Sequence, residues 1–414
     1  MLVRGGTYKE YVTVAHSGSA SAGYITFQNY AGESPIVDGT SVSCCGGTLR
    51  GLFNIASKSY VKIAGFEIRN FKSTANTDEP AGIVVTGSGS DVQILNNKVH
   101  DIVTTAEANN GNAHGIGIYG TATTPYSYVT LSGNEVCNMK TGWSETITLD
   151  GNVTNFTVTG NSVHDNDNIG IDAAGWWELV HDADIGIEAA SEVSGHVASA
   201  VTIRDNLVYD TGLVDITIGG YDATVGGSDS ITIVDNTLYQ SASAQGNGFQ
   251  VQYKATNNVF KNNIVALANT GTSFLYDFTS LKAAPVAMDY NLYYASAANP
   301  SWVWKNKNYS SLASFASAST GCPFEVRGSA VREPGRPRLP RAGHFAGRGR
   351  RHQPRCRRGG RGRLRGQPAG RQRDRHRRLR AIVPAPGPFA RSPARHFAAI
   401  ASTWMRSSTA MLKP

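Results

Sequence analysis

The chain has 414 residues, of which 40% are hydrophobic and 9% aromatic, with 45 glycines and 16 prolines. That length is enough for one large domain, or two to three of ordinary size, with a buried core. No stretch approaches the ~20 consecutive apolar residues that a membrane span needs, so an integral membrane protein is excluded and no membrane partner is expected.

Charge divides the chain into two parts. The net charge is +8, but residues 1–322 contain 15 Lys and Arg against 28 Asp and Glu, whereas residues 323–414 contain 24 against 3. The first part is an acidic body that would repel phosphate backbones, and the second is a basic Arg, Pro and Gly tail. We therefore predict a domain over 1–322, a low-complexity tail over 323–414, and no nucleic-acid partner.

A short block with a central asparagine recurs along the body, as in ILNNKV, VTGNSV and IVDNTL. The repeated asparagines are Asn70, Asn97, Asn134, Asn161, Asn206, Asn236 and Asn263. A second alternating block stands ahead of most of them, such as GIGIYG, TITLDG or FQVQY. Repeated short alternating strands with turn residues at the corners predict an all-β fold, a parallel β-helix that stacks one coil on the next.

The repeated asparagine has a physical reason. We expect it to take the left-handed backbone conformation at a tight corner and to bond through its amide to the asparagine of the next coil. Coils would then lie ~4.8 Å apart, and their inward Ile and Val would form one continuous core. A helical fold is excluded because no window shows apolar residues at i, i+3, i+4 and i+7.

Two features depart from a regular solenoid. Only 16 residues separate Ile169 from Ile185, which predicts that a coil is missing near Trp176 to Glu178. A solenoid needs caps at both ends, and the C-terminal cap is expected to be lost.

The five cysteines form no metal or disulfide spacing, so the adjacent Cys44 and Cys45 are predicted to be thiols.

The motifs GGTYKEYVTV, SETITLDGNVTNFTVTGNSVHDNDNIGIDAAG, ITIGGYD and FQVQYKATNNVFKNNIV together resemble the right-handed parallel β-helix repeat proteins of the pectate-lyase-like group. Among catalytic members, the family 9 type polysaccharide lyases are the most similar. The resemblance implies a right-handed solenoid and, for a lyase, an acidic polysaccharide substrate, a calcium ion and a lysine base. GIDAAG occupies a place similar to the family's DGFAAK, without its lysine.

The basic tail has two interpretations. Its composition is that of a disordered arm. Alternatively, a one-base shift of a back-translation of Glu333–Arg350 and Arg363–Ala381 gives strand-and-turn sequence that resembles the closing segment of secreted β-helix proteins, so the tail is predicted to be out of frame. Proteins of this fold are usually exported, so we expect a secreted, extracellular protein whose signal segment is missing from this chain.

Aligning the strand blocks by their inward residues brings three acids to one outer face, because side chains alternate along a strand. These acids are Asp150, Asp172 and Glu188. Carboxylates at ~5 Å repel each other unless a cation or a raised pKa relieves them, and hard cations prefer carboxylate oxygens. The three acids are therefore a candidate calcium site, with a solvated acidic face as the alternative.

Further residues are placed near this face as candidate substrate contacts. They are Gln250 and Gln252 in the outward columns, Glu192 and Asp222 in the following turns, and Trp176 as an aromatic platform for a sugar ring. The alternatives are turn caps for the two acids and a hydrophobic patch for the tryptophan.

The β-elimination of a lyase needs a base that removes a proton made acidic by the metal. Lys254, in the turn after FQVQY, and His114, immediately before GIGIYG, are the candidates, with a solvated turn lysine as the alternative for the first. His100 and His164 share a repeated Val-His-Asp position, which instead indicates a structural stack.

The sequence thus favours a secreted, monomeric, carbohydrate-active β-helix protein. The first hypothesis is a polysaccharide lyase that cleaves a uronate-containing glycan with calcium. The alternatives are a non-catalytic β-helix that binds glycans at the cell surface, and a glycoside hydrolase that uses paired carboxylates.

Overall fold

A computed structural model describes residues 1–109, 111–174, 197–199, 201–220, 227–277, 286–296 and 301–319. All of them belong to the first of the two units into which the chain divides, residues 1–334. The basic tail lies outside the described residues, so the predicted boundary at residue 322 stays a prediction. In the part of the chain just given, no helix has the length and apolar character needed to cross a bilayer.

Two ten-stranded sheets, here sheets I and II, take one strand from each successive coil. Sheet I contains Leu2–Val3, Ile25–Asn29, Val61–Ala64, Val92–Leu95, Thr130–Ser132, Thr157–Thr159, Thr202–Arg204, Thr232–Val234, Asn258–Lys261 and Val286–Asp289. Sheet II contains Gly6–Tyr8, Pro35–Asp38, Glu67–Ser73, Lys98–Thr104, Glu135–Cys137, Ser162–Asn166, Leu207–Thr211, Thr237–Gln240, Ile264–Leu267 and Leu292–Ala295.

Two further sheets, III and IV, complete the coils. Sheet III contains Val12–Thr13, Leu49–Ala56, Glu79–Gly87, His114–Gly120, Glu145–Gly151, Ile169–Ala173, Val214–Ile218, Asn247–Val251, Ser273–Asp277, Ser301–Trp304 and Lys307–Tyr309. Sheet IV contains Gly89–Ser90, Tyr126–Ser127, Val153–Thr154, Val197–Ser199, Gly227–Asp229 and Ala255–Thr256. A 3-10 helix covers Glu107–Asn109 and an α-helix covers Leu312–Ser319.

Each coil visits sheets I, II and III in turn, six of the described coils add a strand of sheet IV, and successive coils pair in parallel. The coil of Val92–Leu95, Lys98–Thr104, His114–Gly120 and Tyr126–Ser127 shows the order. Parallel crossovers of this kind are right-handed. The predicted right-handed parallel β-helix is confirmed.

The inward column predicted for sheet III forms the centre of the core. Successive strands pair residue for residue and each of these side chains is fully buried: Ile83, Ile116, Ile147, Ile171, Ile216 and Phe249. Phe249 also stacks on Phe260 of sheet I, with 4.2 Å between ring centroids. One coil alone could not bury these side chains, so stacking supplies the stability.

Asparagine side chains hold the coils in register at the corner between sheets I and II. The Oδ1 atom of Asn161 accepts hydrogen bonds from the backbone N and the Nδ2 of Asn134, at 2.9 and 3.0 Å. The Nδ2 of Asn161 donates to Leu131 O and to Asn206 Oδ1, both at 3.0 Å. The same pattern links Asn97, Asn134, Asn161, Asn206, Asn236, Asn263 and Asn291. This asparagine ladder confirms the predicted amide stack.

The structure differs from the prediction in which residue adopts the left-handed backbone conformation at the corner. The left-handed conformation belongs to the residue before each ladder asparagine: Asn96, Gly133, Gly160, Asp205, Asp235, Asn262 and Tyr290. Asn70 does not belong to the ladder, contrary to the prediction. Phe66, four residues before it, occupies the corner position of that coil and donates its backbone N to Asn97 Oδ1 at 3.0 Å. Asn70 itself has a positive φ and bonds to Asp38.

The predicted loss of a coil falls near Trp176 to Glu178, outside the described residues, and stays a prediction. On either side of that segment, Asn161 and Asn206 bond directly through their side chains, and Ile171 pairs with Ile216 in sheet III. The described coils on the two sides therefore stack directly on each other.

The ends and the cysteines also differ from expectation. Lys307–Tyr309 pairs antiparallel to the last parallel strand of sheet III, and Phe315 of the following helix stacks on Trp302 at 5.8 Å. This hairpin and helix cover the C-terminal end of the core, where the cap was expected to be lost. Cys44 and Cys45 form a disulfide between adjacent residues, and among the described cysteines Cys137 is a free thiol.

The ladder makes a stability prediction. Asn161→Ala leaves the N and Nδ2 of Asn134 and the Oδ1 of Asn206 short of partners in a buried site, and each such loss costs about 1–3 kcal/mol. We expect the free energy of unfolding to fall by roughly 3 kcal/mol, measured by thermal and denaturant unfolding. Asn155→Gly is the control, because Asn155 is an exposed asparagine in the left-handed conformation that glycine also adopts. Equal stability of the two variants would contradict a structural role for the ladder.

Candidate active site

The outer face of sheet III brings the predicted outward residues into one column. Backbone pairing aligns Val84, Gly117, Thr148, Asp172, Thr217 and Gln250. The column is largely covered: Asp172 is 6% exposed and Thr148 2% exposed. A solvated acidic face, the alternative for Asp172, is therefore wrong.

Three carboxyl groups lie together on this face and are here called the acid cluster: Glu145, Asp150 and Asp172. Thr148 lies directly across the ladder from Asp172 and donates its hydroxyl to Glu145 Oε2 at 3.2 Å. Asp150 is two residues beyond Thr148 on the same strand and so faces the same side. Two of the three candidate metal ligands are thus brought together, with Glu145 as their neighbour.

Burial changes the protonation of the acid cluster. Loss of hydration raises the pKa of Glu145 to about 7. Burial, followed by the negative charges of Glu145 and Asp150, raises the pKa of Asp172 well above its usual value. The Oδ1 atom of Asp172 is buried and has no hydrogen-bond partner among the described residues. The cluster therefore holds at least one proton near neutral pH.

His114 lies at the edge of the acid cluster. Its Nδ1 is 4.0 Å from Glu145 Oε2, and the Tyr119 hydroxyl is 3.2 Å from a ring nitrogen. Burial lowers the pKa of His114 to about 4, so the imidazole is neutral at pH 7 and does not form an ion pair with Glu145. The carboxyl groups are thus relieved by protons instead of by a charged histidine.

The predicted lysine base is placed away from the acid cluster. Lys254 lies in the turn after the strand Asn247–Val251, and its Cβ packs over Gly227 at the start of the sheet IV strand. In sheet III its strand is two rungs from that of Asp172, which corresponds to about 10 Å along the solenoid axis. Gln250 and Gln252, also candidates, are buried at 5% and 6% exposure.

Four predicted site residues lie outside the described residues: Trp176, Glu188, Glu192 and Asp222. Their predicted roles stay predictions. Among the described residues, Asp172 pairs directly with Thr217 in sheet III.

Strict alternation missed Glu145, because it assigns Glu145 to the same side as the inward Ile147. In the structure Thr146 and Ile147 are adjacent and both fully buried, so alternation breaks at that point. A sequence signal for this break is the Gly-Ile pair at the same position of the two neighbouring strands, Gly115–Ile116 and Gly170–Ile171. A Cβ on Gly115 or Gly170 would lie 2.5 or 2.6 Å from an inward valine, which shows that this position also faces the core.

Trp143 is a further residue that the sequence analysis did not single out. It precedes Glu145 by two residues, is 38% exposed, and donates its Nε1 to Glu107 O at 2.9 Å. That hydrogen bond fixes one edge of the indole while part of the ring remains open to solvent. Such a ring can pack against the apolar face of a sugar.

The acid cluster offers the type of ligand atom that a hard cation binds. Calcium prefers carboxylate oxygens, and the unpartnered Oδ1 of buried Asp172 is an oxygen that a cation would satisfy. Glu145 and Asp150 would supply the other carboxylate oxygens, with Glu145 losing its proton.

Comparison with known proteins gives one relative with substantial identity. The chain is 31% identical over 373 residues to "Uncharacterized protein YwoF" of Bacillus subtilis (strain 168), covering 77% of this chain and 78% of that protein. This chain belongs to the YwoF family. No family model matches the chain.

Solved structures similar to this YwoF-family chain have low identity. The endo-xylogalacturonan hydrolase of Aspergillus tubingensis has a TM-score of 0.41 at 10% identity, over 75% of this chain and 88% of that one. The lacto-N-biosidase of Eubacterium ramulus has a TM-score of 0.36 at 12% identity, over 70% and 61%. A tailspike protein of E. coli bacteriophage HK620 in complex with pentasaccharide has a TM-score of 0.35 at 10% identity, over 67% and 61%. No activity or substrate is transferred from these structures.

The raised pKa of Glu145 makes stability depend on pH. A carboxyl with a pKa of about 7 when folded and near 4.5 when unfolded binds its proton more tightly in the folded chain. Its stabilising contribution is complete below pH 4.5 and is lost as the pH rises through 7. We expect Glu145→Gln to gain about 3.5 kcal/mol of stability relative to the natural chain as the pH rises from below 4.5 to above 7, because the shift is about 2.5 pKa units at about 1.4 kcal/mol each.

The measurement is the difference between the two unfolding free energies at each pH. His114 has a lowered pKa, so its own contribution is present above pH 6.5 and lost as the pH falls through 4, opposite in sign to that of Glu145. Both proteins contain His114, so its effect largely cancels in the difference. Parallel pH profiles of the two proteins would show that Glu145 has an ordinary pKa.

Proposed function

We propose that this chain binds a polysaccharide along the outer face of sheet III and hydrolyses a glycosidic bond at the acid cluster. The observation that carries the proposal is the group of Glu145, Asp150 and Asp172, in which burial keeps a carboxyl protonated near neutral pH. Glycoside hydrolysis needs such a proton donor beside a second carboxyl group.

The roles follow from the environment of each group. Glu145 retains 16% side-chain exposure, so its proton can reach the oxygen of a leaving sugar. Asp172 is more deeply buried, and its carboxyl group interacts electrostatically with those of Glu145 and Asp150. Asp150, on the same strand and partly exposed, would act as the carboxylate that stabilises the sugar cation or activates water. Trp143 would hold a sugar ring at the edge of the cluster.

Calcium-assisted β-elimination is the second candidate, and the unpartnered Oδ1 of Asp172 favours it. Bound calcium would neutralise the substrate's uronate carboxylate. His114 and Lys254 remain the predicted bases. A neutral His114 is the nearer of the two to the cluster, but an imidazole with a pKa near 4 is a weak base.

One assay separates these functions. The full chain is incubated with neutral polymers and with uronate polymers such as polygalacturonate and alginate, with added calcium or with a chelator. New reducing ends without ultraviolet absorbance indicate hydrolysis, whereas absorbance from an unsaturated product that needs calcium indicates a lyase. Polymer binding without cleavage would identify the non-catalytic glycan binder and overturn both enzymatic candidates.

Variants test the assignment of the site. We expect Glu145→Gln to lower the cleavage rate at least 100-fold, because Glu145 is the proton donor and general acid catalysis contributes about 10²–10⁴-fold. Asp229→Asn is the matched control, since Asp229 lies in sheet IV and hydrogen-bonds to Thr256 and Asn257 away from the cluster. Full activity of Glu145→Gln would remove the acid cluster from the mechanism.

Trp143→Ala tests substrate contact separately from chemistry. If the indole packs on a sugar ring, we expect KM to rise about tenfold with kcat nearly unchanged, since the interaction is present in ground and transition states alike. Trp143→Phe, which keeps an aromatic face, should restore most of the affinity. An unchanged KM in the alanine variant would show that the indole makes its hydrogen bond to Glu107 O but does not contact the substrate.

A further inference from the structure

A second group of reactive side chains lies on the outer face of sheet II, on a different side of the solenoid from the acid cluster. Glu135 and Cys137 project from one strand, and His164 lies on the next, directly across from Cys137. One ligand atom from each lies within 4.8 Å of the other two. A carboxylate, a thiol and an imidazole are the three side-chain types that bind zinc.

The distances are close to those around a tetrahedral ion. Glu135 Oε1 is 3.8 Å from Cys137 Sγ and 3.7 Å from His164 Nε2. Bonds of about 2.0–2.3 Å from zinc to oxygen, nitrogen and sulfur give ligand-to-ligand separations of about 3.5 Å in a tetrahedron. These two separations need shifts of only a few tenths of an ångström, and the third, between Cys137 and His164, lies within 4.8 Å.

The histidine is already oriented for this role. Its Nδ1 is 2.7 Å from Asp165 Oδ2, and its ring stacks on Tyr209 with centroids 4.6 Å apart and planes at 2°. A carboxylate that holds Nδ1–H leaves the lone pair of Nε2 free, and this nitrogen is the one that faces Glu135. Histidines that bind metals are commonly fixed by such a partner.

Cys137 is the residue that distinguishes this place from the rest of the column. Backbone pairing aligns His100, Cys137, His164, Tyr209 and Tyr239, the repeated position that the sequence analysis assigned to a structural stack. A stack explains the rings, but a thiol contributes no ring. In this column the thiol stands beside a histidine and a carboxylate that face it.

The present partner of Glu135 could be displaced at small cost. Lys98 Nζ lies 2.9 Å from Glu135 Oε1, and the two side chains are 47% and 42% exposed. An ion pair this open to solvent contributes little to stability. A divalent ion could therefore replace the lysine at the carboxylate.

We propose that Glu135, Cys137 and His164 bind one zinc ion, or another divalent ion of similar softness, with the fourth position open to water. Binding forms a bond from the Cys137 sulfur to the metal and releases the thiol proton to solvent. No electron is transferred. Because the ligands come from two successive coils, the ion would clamp those coils together and stabilise the folded chain by mass action.

The test is a titration of the full chain, freed of metal by dialysis, with Co²⁺ and then Zn²⁺. We expect one Co²⁺ per chain, with the near-ultraviolet charge-transfer band of a cobalt–thiolate bond, and its displacement by Zn²⁺. Cys137→Ser should abolish the band and weaken Zn²⁺ binding at least 100-fold. Asp165→Asn should weaken it about 10- to 100-fold.

Two further variants keep the result unambiguous. Lys98→Gln removes the competitor for Glu135, so we expect tighter Zn²⁺ binding, a gain that misfolding cannot produce. A Cys44→Ser/Cys45→Ser double variant removes the other described group that contains sulfur, Cys44, Cys45 and Asp78, and should leave the titration unchanged. No stoichiometric Co²⁺ binding, or binding that survives Cys137→Ser, would overturn the proposal.

Discussion

Amide hydrogen bonds between successive asparagines are the constraint on which the rest of the structure depends. Because side chains alternate along each strand, a one-residue slip between successive coils would exchange their inner and outer faces. Each ladder asparagine receives and donates bonds that fit one register only, and all but Asn291 are buried. The inward isoleucines and the outward acids align because of this fixed register.

The same register builds two chemically different surfaces. On sheet III, burial of Glu145 and Asp172 without a cationic partner leaves protons as the means of relieving their repulsion. On sheet II, carboxylates instead meet basic and sulfur-containing side chains, as Glu135 meets Lys98 and Cys137. One surface is therefore suited to proton transfer, and the other to coordination of an ion.

The sequence predicted the fold well because the repeat is a long-range signal. Seven blocks around an asparagine could be aligned with no knowledge of contacts, and six members of that set are in the ladder. Asn70 failed because an asparagine within a strand, here the fourth residue of Glu67–Ser73, resembles one at a corner in the sequence. The site was predicted less completely, since counting by alternation found Asp150 and Asp172 but reversed Glu145, where two consecutive residues face the core. The raised pKa values depend on burial, which the pattern alone does not give.

The direct bond between Asn161 and Asn206 has a consequence for how repeats in such a chain are recognised. Asn134 and Asn161 are 27 residues apart and Asn161 and Asn206 are 45 apart, yet both pairs of amides meet at the same 3.0 Å. The ladder therefore fixes how coils stack without fixing how many residues separate its members. Repeats of this kind are found by aligning the asparagine blocks themselves and not by assuming a constant period.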